Sequence, residues 1–260
     1  MHNPGMELSS LLLPLLIAAF LAGCMDALVG GGGLVQIPSL FAILPQATPA
    51  TLFGTNKAAS VFGTATAAWR YSRRITLPWA TVLPAAILAF ACSFLGAMAV
   101  AWLPRDYLRP LLLLLLIGAA IYTLVRKDFG SVHAPRHRGW REFCLAGALG
   151  AVIGFYDGFF GPGTGSFLIF LFVRAFGFDF LHASAASKVV NVATNIAALA
   201  YFVPHGQWLP WLAAGMAICN IAGAVVGTRL ALRHGSRMVR RVFLVVVALL
   251  IARFAWDTFA

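Results

Sequence analysis

The chain has 260 residues, of which 61% are hydrophobic and only 10% are charged, and its mean hydropathy is +0.87. Soluble domains carry about 25% charged residues, so this composition excludes an ordinary soluble protein and predicts an all-α protein that crosses a membrane several times. The formal charge of +11 does not indicate nucleic-acid binding, because the basic residues cluster at the ends of apolar stretches, where they set membrane topology.

Apolar segments follow one another along the chain in two sets of four to five. In the first set we predict segments at 9–29, 34–46, 50–69, 77–103 and 107–126. In the second set we predict 142–160, 164–177, 183–203, 207–232 and 237–257. A helical span needs about 20 residues, so we expect the second segment of each set to be broken or re-entrant. The chain is therefore predicted to consist of membrane repeat 1 (1–126), a basic cytoplasmic linker (127–141) and membrane repeat 2 (142–260).

The second set repeats rare residues of the first at a constant offset of 131 positions. The pairs in register are Asp26 and Asp157, Gly30 and Gly161, Gly32 and Gly163, Lys57 and Lys188, and Gly96 and Gly227. Chance agreement at so many rare residue types is not expected, whereas internal repeats are common in transporters. The sequence therefore predicts two structurally related halves.

The basic residues indicate that the two halves are inverted. The loop after the third segment of repeat 1 carries Arg70, Arg73 and Arg74, and its counterpart in repeat 2 has no Lys or Arg. One loop later the basic residues are concentrated in repeat 2, at 229–241. By the positive-inside rule, equivalent loops then lie on opposite sides of the membrane, with both termini outside. The alternative, four full spans per half in parallel, divides the basic residues almost evenly between the two faces.

Glycine-rich stretches mark the predicted break in each half. Residues 26–41 are DALVGGGGLVQIPSLF, and residues 157–172 are DGFFGPGTGSFLIFLF. A break exposes backbone N–H groups at the start of the next half-helix, and these groups and the helix dipole attract anions. Close helix packing is the alternative use of small residues, and it suits Gly150, Gly154 and Gly223 better. The predicted anion-binding positions in the two breaks are Gly30, Gly31, Gly32, Gly33, Gly161, Gly163, Thr164 and Gly165.

Two lysines lie well inside apolar segments at equivalent positions. A Lys at the centre of a membrane helix costs about 2.5–3.5 kcal/mol on insertion scales, so we expect Lys57 and Lys188 to serve an anion site. A structural ion pair, Lys57 with Asp26 or Lys188 with Asp157, is the alternative. Each aspartate could couple transport to protons, act as a counter-ion or cap the broken helix, and the sequence leaves these roles open.

Polar side chains accompany both lysines along their helices. They hydrogen-bond either the oxygens of an anion or a neighbouring helix, the ordinary use of such residues in membranes. In the first half they are Thr55, Asn56, Ser60, Thr64 and Thr66, and in the second half they are Ser184, Ser187, Asn191, Thr194 and Asn195.

The motifs DALVGGGG, GTNK, DGFFGPGTGSF and ASKVVNVATN resemble those of the TauE/SafE sulfite exporter family, also called the toluene sulfonate uptake permease family. The resemblance extends from about residue 10 to residue 257. It implies a multi-pass transporter of the bacterial inner membrane that moves small sulfur-containing anions such as sulfite or organosulfonates. It carries over to Asp26, Gly30, Gly32, Thr55, Asn56 and Lys57, and to Asp157, Gly161, Gly163, Gly165, Ser187, Lys188 and Asn191. The second half has ASK where the first has TNK, so the two lysine regions are not identical.

These observations together predict a secondary transporter coupled to the proton or membrane-potential gradient, with the lipid bilayer and a small anion as its partners. A passive anion channel of the same architecture is the alternative. We expect no enzyme, because the sequence has no nucleophile–base set, and no cofactor or metal, because Cys24, Cys92, Cys144 and Cys219 are scattered singly. A homo-oligomer is left open.

Overall fold

The computed structural model describes residues 4–100 and 139–259. Within these ranges the chain is helical and contains no strand. The helices are α1 (Pro4–Val29), α2 (Gly33–Ile43), α3 (Pro49–Ser72), α4 (Trp79–Val100), α5 (Trp140–Phe159), α6 (Thr164–Phe176), α7 (Phe180–Phe202) and α8 (Pro210–Phe259). The prediction of an all-α membrane protein is confirmed. The predicted segment at 107–126 and nearly all of the linker at 127–141 lie outside the described residues.

Four helices are long and apolar enough to cross a membrane. The spans are Leu12–Val29, Trp79–Val100, Trp140–Phe159 and Pro210–Val239. Helices α3 and α7 have the length to cross, with 24 and 23 residues, but they carry the polar side chains that flank the two lysines. The chain is therefore a multi-pass membrane protein, as predicted.

Helices α2 and α6 are too short to cross. They have 11 and 13 residues, which corresponds to about 16 and 20 Å, against a hydrocarbon core of about 30 Å. This confirms that the second segment of each half is a short helix. Each is joined to the preceding helix through a glycine with positive φ, Gly30 in the first half and Gly161 in the second.

Helix α8 consists of two helical parts that meet at Gly235. This residue has φ 71° and ψ −170°, a conformation that is incompatible with a helix and that glycine adopts at little cost. The sequence predicts separate segments at 207–232 and 237–257, and the bend lies between them.

Helices α3 and α7 begin in the same way at equivalent positions. The Thr48 side chain accepts a hydrogen bond from the Thr51 backbone N–H, and the Asp179 side chain accepts one from the His182 backbone N–H. Such N-caps satisfy donors that the first turn of a helix leaves free. The two lysine-bearing helices therefore start 131 residues apart, in step with the repeat.

The two halves are interlocked by close helix packing. Helix α1 packs along α8, and its equivalent α5 packs along α4. A Cβ added to Gly23 would overlap the backbone of Asn220, and one added to Gly154 would overlap the backbone of Ala89. Each of these two contacts is the 131-residue equivalent of the other. Small residues thus bring the helix backbones together, which confirms the packing role expected for Gly150, Gly154 and Gly223.

Helix α3 and its equivalent α7 run in opposite directions where they pack. Phe53, near the start of α3, lies in one apolar cluster with Ala198 and Phe202 at the end of α7. At the other end of α3, Arg70 Nε donates to Thr228 Oγ1 at 2.9 Å. The basic end of α3 and the basic stretch of α8 therefore lie on the same side of the molecule.

Candidate functional site

The two helix breaks meet at the centre of the molecule. Gly30 ends the first break with φ 76°, and Gly161 and Gly163 shape the second with φ 90° and 82°. The Ser166 backbone N–H donates to the Gly30 oxygen at 3.1 Å. A Cβ on Gly30 would overlap the backbone of Gly165, and one on Gly165 would overlap Gly30. The glycines at this crossing are needed because the two backbones touch.

The end of α1 is fully bonded although it lies inside the membrane. Its last carbonyl groups have no partner within the helix, and three other helices supply donors to them. Tyr71 Oη bonds the oxygen of Ala27 at 2.9 Å, Ser184 Oγ that of Leu28 at 3.3 Å, and Ser166 Oγ that of Val29 at 2.8 Å. Broken backbone is tolerated at membrane depth only when it is satisfied in this way.

Both lysines form ion pairs, and each pair joins one half to the other. Lys57 Nζ lies 2.5 Å from Asp157 Oδ2, and Lys188 Nζ lies 3.2 Å from Asp26 Oδ1. Thr64 Oγ1 donates to the second oxygen of Asp26 at 3.0 Å. The side chain of Lys188 is 0% exposed and that of Lys57 is 4% exposed.

The ion pairs correct one expectation from the sequence. The alternative reading of the lysines paired Lys57 with Asp26 and Lys188 with Asp157, each within its own half. The pairs cross instead, because α3 lies against the end of α5 and α7 lies against the end of α1. With all four groups ionised their charges cancel, so the lysines present no net positive charge to a ligand.

A small cavity lies between the breaks and the ion pairs. It leaves about 30 Å³ for the centres of water-sized groups, and one water needs about 10–15 Å³ by that measure, so it holds about two waters. The predicted residues that line it are Asp26, Gly30, Gly32, Gly33, Asn56, Lys57, Asp157, Gly161, Gly165 and Asn191. Ser60, Thr64 and Asn195, which the sequence places beside the lysines, line it as well.

Six predicted positions do not line this cavity: Gly31, Thr55, Gly163, Thr164, Ser187 and Lys188. Thr55 Oγ1 donates to the Thr51 oxygen and accepts from the Leu209 N–H. Thr164 and Ser187 bond backbone oxygens three residues before them. These hydroxyl groups support the helices, and Lys188 lies behind Asp26.

Two lining residues are missing from the sequence prediction, Gln36 and Asn220. Asn220 Nδ2 donates to Gln36 Oε1 at 3.0 Å and to the Ala19 oxygen at 3.2 Å. Each is a single carboxamide in an apolar run, which is costly in a membrane and is the signal that could have identified it. The repeat concealed them, because their equivalents in the other half are Phe167 and Ala89.

Among the described residues, no three His, Cys, Asp or Glu side chains come together in a way that could hold a metal ion. The arrangement offers two lysines, two carboxylates, several carboxamides and hydroxyl groups, and backbone at two glycine breaks. Such a set can bind a small polar ion and exchange a proton with it, since carboxylates and lysines inside membrane proteins mark ion and proton pathways.

Comparisons with known proteins agree with this geometry. The family model described as Sulfite exporter TauE/SafE matches residues 15–254. A probable membrane transporter protein, ORF9 of Sinorhizobium sp, is 35% identical over 247 residues, which cover 95% of this chain and 93% of that protein. The probable membrane transporter protein YfcA of Escherichia coli K12 is 33% identical over 257 residues, which cover 98% and 94%. No solved structure matches.

Proposed function

The chain belongs to the TauE/SafE sulfite exporter family of membrane transporters, and we propose that it is a secondary transporter of small sulfur-containing anions, such as sulfite or organosulfonates, across the bacterial inner membrane. The observation that carries this proposal is the central cavity, where two helix breaks meet beside two buried lysines. A site near the midplane, between broken helices of related halves, is the arrangement by which many secondary transporters bind their substrates.

Lys57 is the proposed anion-binding cation. It lines the cavity, whereas Lys188 does not. Its partner Asp157 has to release it before an anion can take that place, because the ionised pair is neutral. Protonation of Asp157 frees Lys57, so each anion that binds brings a proton with it. This exchange couples transport to the proton gradient, and Asp26 holds Lys188 as a structural counterpart.

We further propose that the halves are inverted repeats, 1–126 and 142–260, joined by the cytoplasmic linker at 127–141. The support comes from packing directions. Helix α7 is the 131-residue equivalent of α3, yet the start of α3 packs on the end of α7. The pairing of α1 with α8 and of α5 with α4 fits a two-fold relation between the halves.

Uptake into proteoliposomes tests the function. Purified protein is reconstituted, an inward proton gradient is imposed, and radiolabelled sulfite, taurine and ethanesulfonate are supplied at equal concentrations on both sides. A transporter accumulates at least one of these anions against its gradient, and a proton ionophore abolishes the accumulation. Downhill movement alone identifies the anion channel, and the absence of any movement overturns the proposal.

The Lys57→Gln variant tests the site itself. Hydrogen bonds to charged groups are worth about 1.5–3 kcal/mol, so uptake should fall about 10–100-fold. Arg233→Gln is the matched control, because it also removes one positive charge, at an exposed position of α8. Equal uptake by Lys57→Gln and the control would show that Lys57 does not bind the anion.

A further inference from the structure

Gln36 carries a hydrogen-bond donor that no described residue satisfies. It lies in the first turn of α2, is 1% exposed and lines the central cavity. Its Nε2 atom has no hydrogen-bond partner in the described part of the chain. Leaving a buried donor without a partner is costly, so this atom indicates a ligand rather than packing.

Asn220 determines which end of the Gln36 amide is left for a ligand. Asn220 Nδ2 donates to the Ala19 backbone oxygen, and this bond fixes the orientation of its own amide. The same nitrogen donates to Gln36 Oε1. Turning the Gln36 amide over would place two NH₂ groups face to face, which are both donors. The oxygen of Gln36 is therefore held, and its NH₂ group remains available.

Close packing holds this pair of amides in place. A Cβ on Gly63 would overlap Asn220 Oδ1, so α3 approaches Asn220 without leaving room for movement. Helices α1, α3 and α8 thus all position the Gln36 side chain. The second half has no such unit, since Phe167 and Ala89 stand at the equivalent positions. The fixed neutral donor is present on one side of the cavity only.

We propose that the Gln36 NH₂ group binds one oxygen of the transported anion and thereby selects oxyanions over halides, an inference that rests on the proposed function. Lys57 supplies charge, but a lysine ammonium is a compact point charge that binds a halide and an oxyanion alike. A second donor, fixed at another point of the wall, is satisfied by a ligand with several acceptor atoms. Sites built to hydrogen-bond one group reject ligands that lack it.

The size of the cavity narrows the ligand further. With about 30 Å³ for the centres of water-sized groups, this conformation fits an oxyanion built on one central atom, such as sulfite. Asn56 and Asn191 also line the wall and can donate to further oxygens. A halide would leave these amides without acceptors.

Competition between sulfite and chloride tests the role of Gln36. The full-length protein and its Gln36→Leu variant are reconstituted, and the KM for radiolabelled sulfite and the inhibition constant for chloride are measured. We expect Gln36→Leu to raise the sulfite KM about 10–100-fold, as for the loss of a hydrogen bond to a charged group, with the chloride constant changed less than about threefold. Gln207→Leu is the control, because it removes a carboxamide that does not line the cavity.

Each outcome decides between the two proposals. A sulfite KM within about twofold of the wild-type value in Gln36→Leu, near the lower limit of a neutral hydrogen bond, overturns the inference and leaves the transport function intact. If Gln36→Leu does not fold, the unbranched Gln36→Met variant replaces it. If the wild-type protein moves no sulfur anion, the proposed function fails first. Calorimetric binding of nitrate and phosphate to wild type and Gln36→Met then tests the inference, and equal affinities overturn it.

Discussion

At the residue scale, the four buried charges are held by partners from the opposite half. Lys57 and Asp157 are 4% and 2% exposed in their side chains, so neither charge is solvated by water. Removing one member of a buried pair leaves the other charge uncompensated, which costs about 3–5 kcal/mol. The pairing is therefore a strong determinant of stability as well as of the site.

A double-mutant cycle tests the crossed pairing. Lys57→Ala should lower the free energy of unfolding in detergent by about 3–5 kcal/mol, because Asp157 is left unpaired. Adding Asp157→Asn should restore most of that loss, since no isolated charge remains. Adding Asp26→Asn to Lys57→Ala should lower stability further, because it leaves Lys188 unpaired as well. Restoration by Asp26→Asn instead would indicate pairing within one half.

The sequence identifies the charged residues of the site but not their partners. Lys57 and Lys188 stand out because charge is rare in apolar segments, and the offset of 131 residues relates them. An alignment of two repeats shows which residues are equivalent and not which residues are neighbours, so the exchange of partners required the structure. Gln36 and Asn220 escaped for the opposite reason, because they depart from the repeat.

At the scale of elements, the central feature is the contact between two broken helices. The breaks hold Gly30 and Gly165 against each other, and the Ser166 N–H bonds the Gly30 oxygen. Since each break is fixed partly by the other, neither half forms the site alone. The lengths of α2 and α6 place both breaks inside the membrane region.

Substitution of Gly165 tests this contact. Its φ is not positive, so alanine strains the backbone only by contact, with a Cβ 2.5 Å from the Gly30 Cα. We expect Gly165→Ala to separate the breaks, to lower the melting temperature and to reduce uptake at least about tenfold, the effect of about 1.4 kcal/mol.

Gly215→Ala is the matched control in a helix. There the nearest atom to the added Cβ is Leu16 Cδ2 at 3.4 Å, and alanine in a helix is favoured over glycine by about 1 kcal/mol. This variant should be as active as the wild type and at least as stable. Equal behaviour of the two variants would show that close contact of the breaks is not required.

The elements themselves follow from the sequence to within a few residues. The predicted segment 164–177 is α6 at Thr164–Phe176, and 34–46 is α2 at Gly33–Ile43. Apolar length and glycine positions determine these helices locally. The interlocking of α1 with α8 across the halves could not be predicted, because packing partners depend on contacts between distant small residues such as Gly23 and Asn220.

At the scale of the whole molecule, one end is basic and the other is not. Arg70, Arg73 and Arg74 follow α3, and Arg229 and Arg233 lie on the same side because Arg70 bonds Thr228. The loops at the opposite end, 44–48 and 203–209, contain no Lys or Arg. The positive-inside rule then places the basic end in the cytoplasm.

Cysteine labelling tests this orientation. In a variant with the four native cysteines replaced, Ser72→Cys lies at the basic end and His205→Cys at the other, and both positions are exposed. A membrane-impermeant maleimide added to intact spheroplasts should label His205→Cys and should label Ser72→Cys only after lysis. The reverse pattern would contradict the assigned orientation, and labelling of both from outside would contradict the single basic face.

The crossed ion pairs also impose an order on the synthesis of the chain. The ribosome releases Asp26 and Lys57 before Asp157 and Lys188 exist, so the first half enters the bilayer with two charges whose partners have not yet been made. A lysine at the centre of a helix costs about 2.5–3.5 kcal/mol to insert, and that cost is not offset until α5 arrives. Until then the nascent first half is a substrate for membrane quality-control proteases, and only the complete chain escapes them.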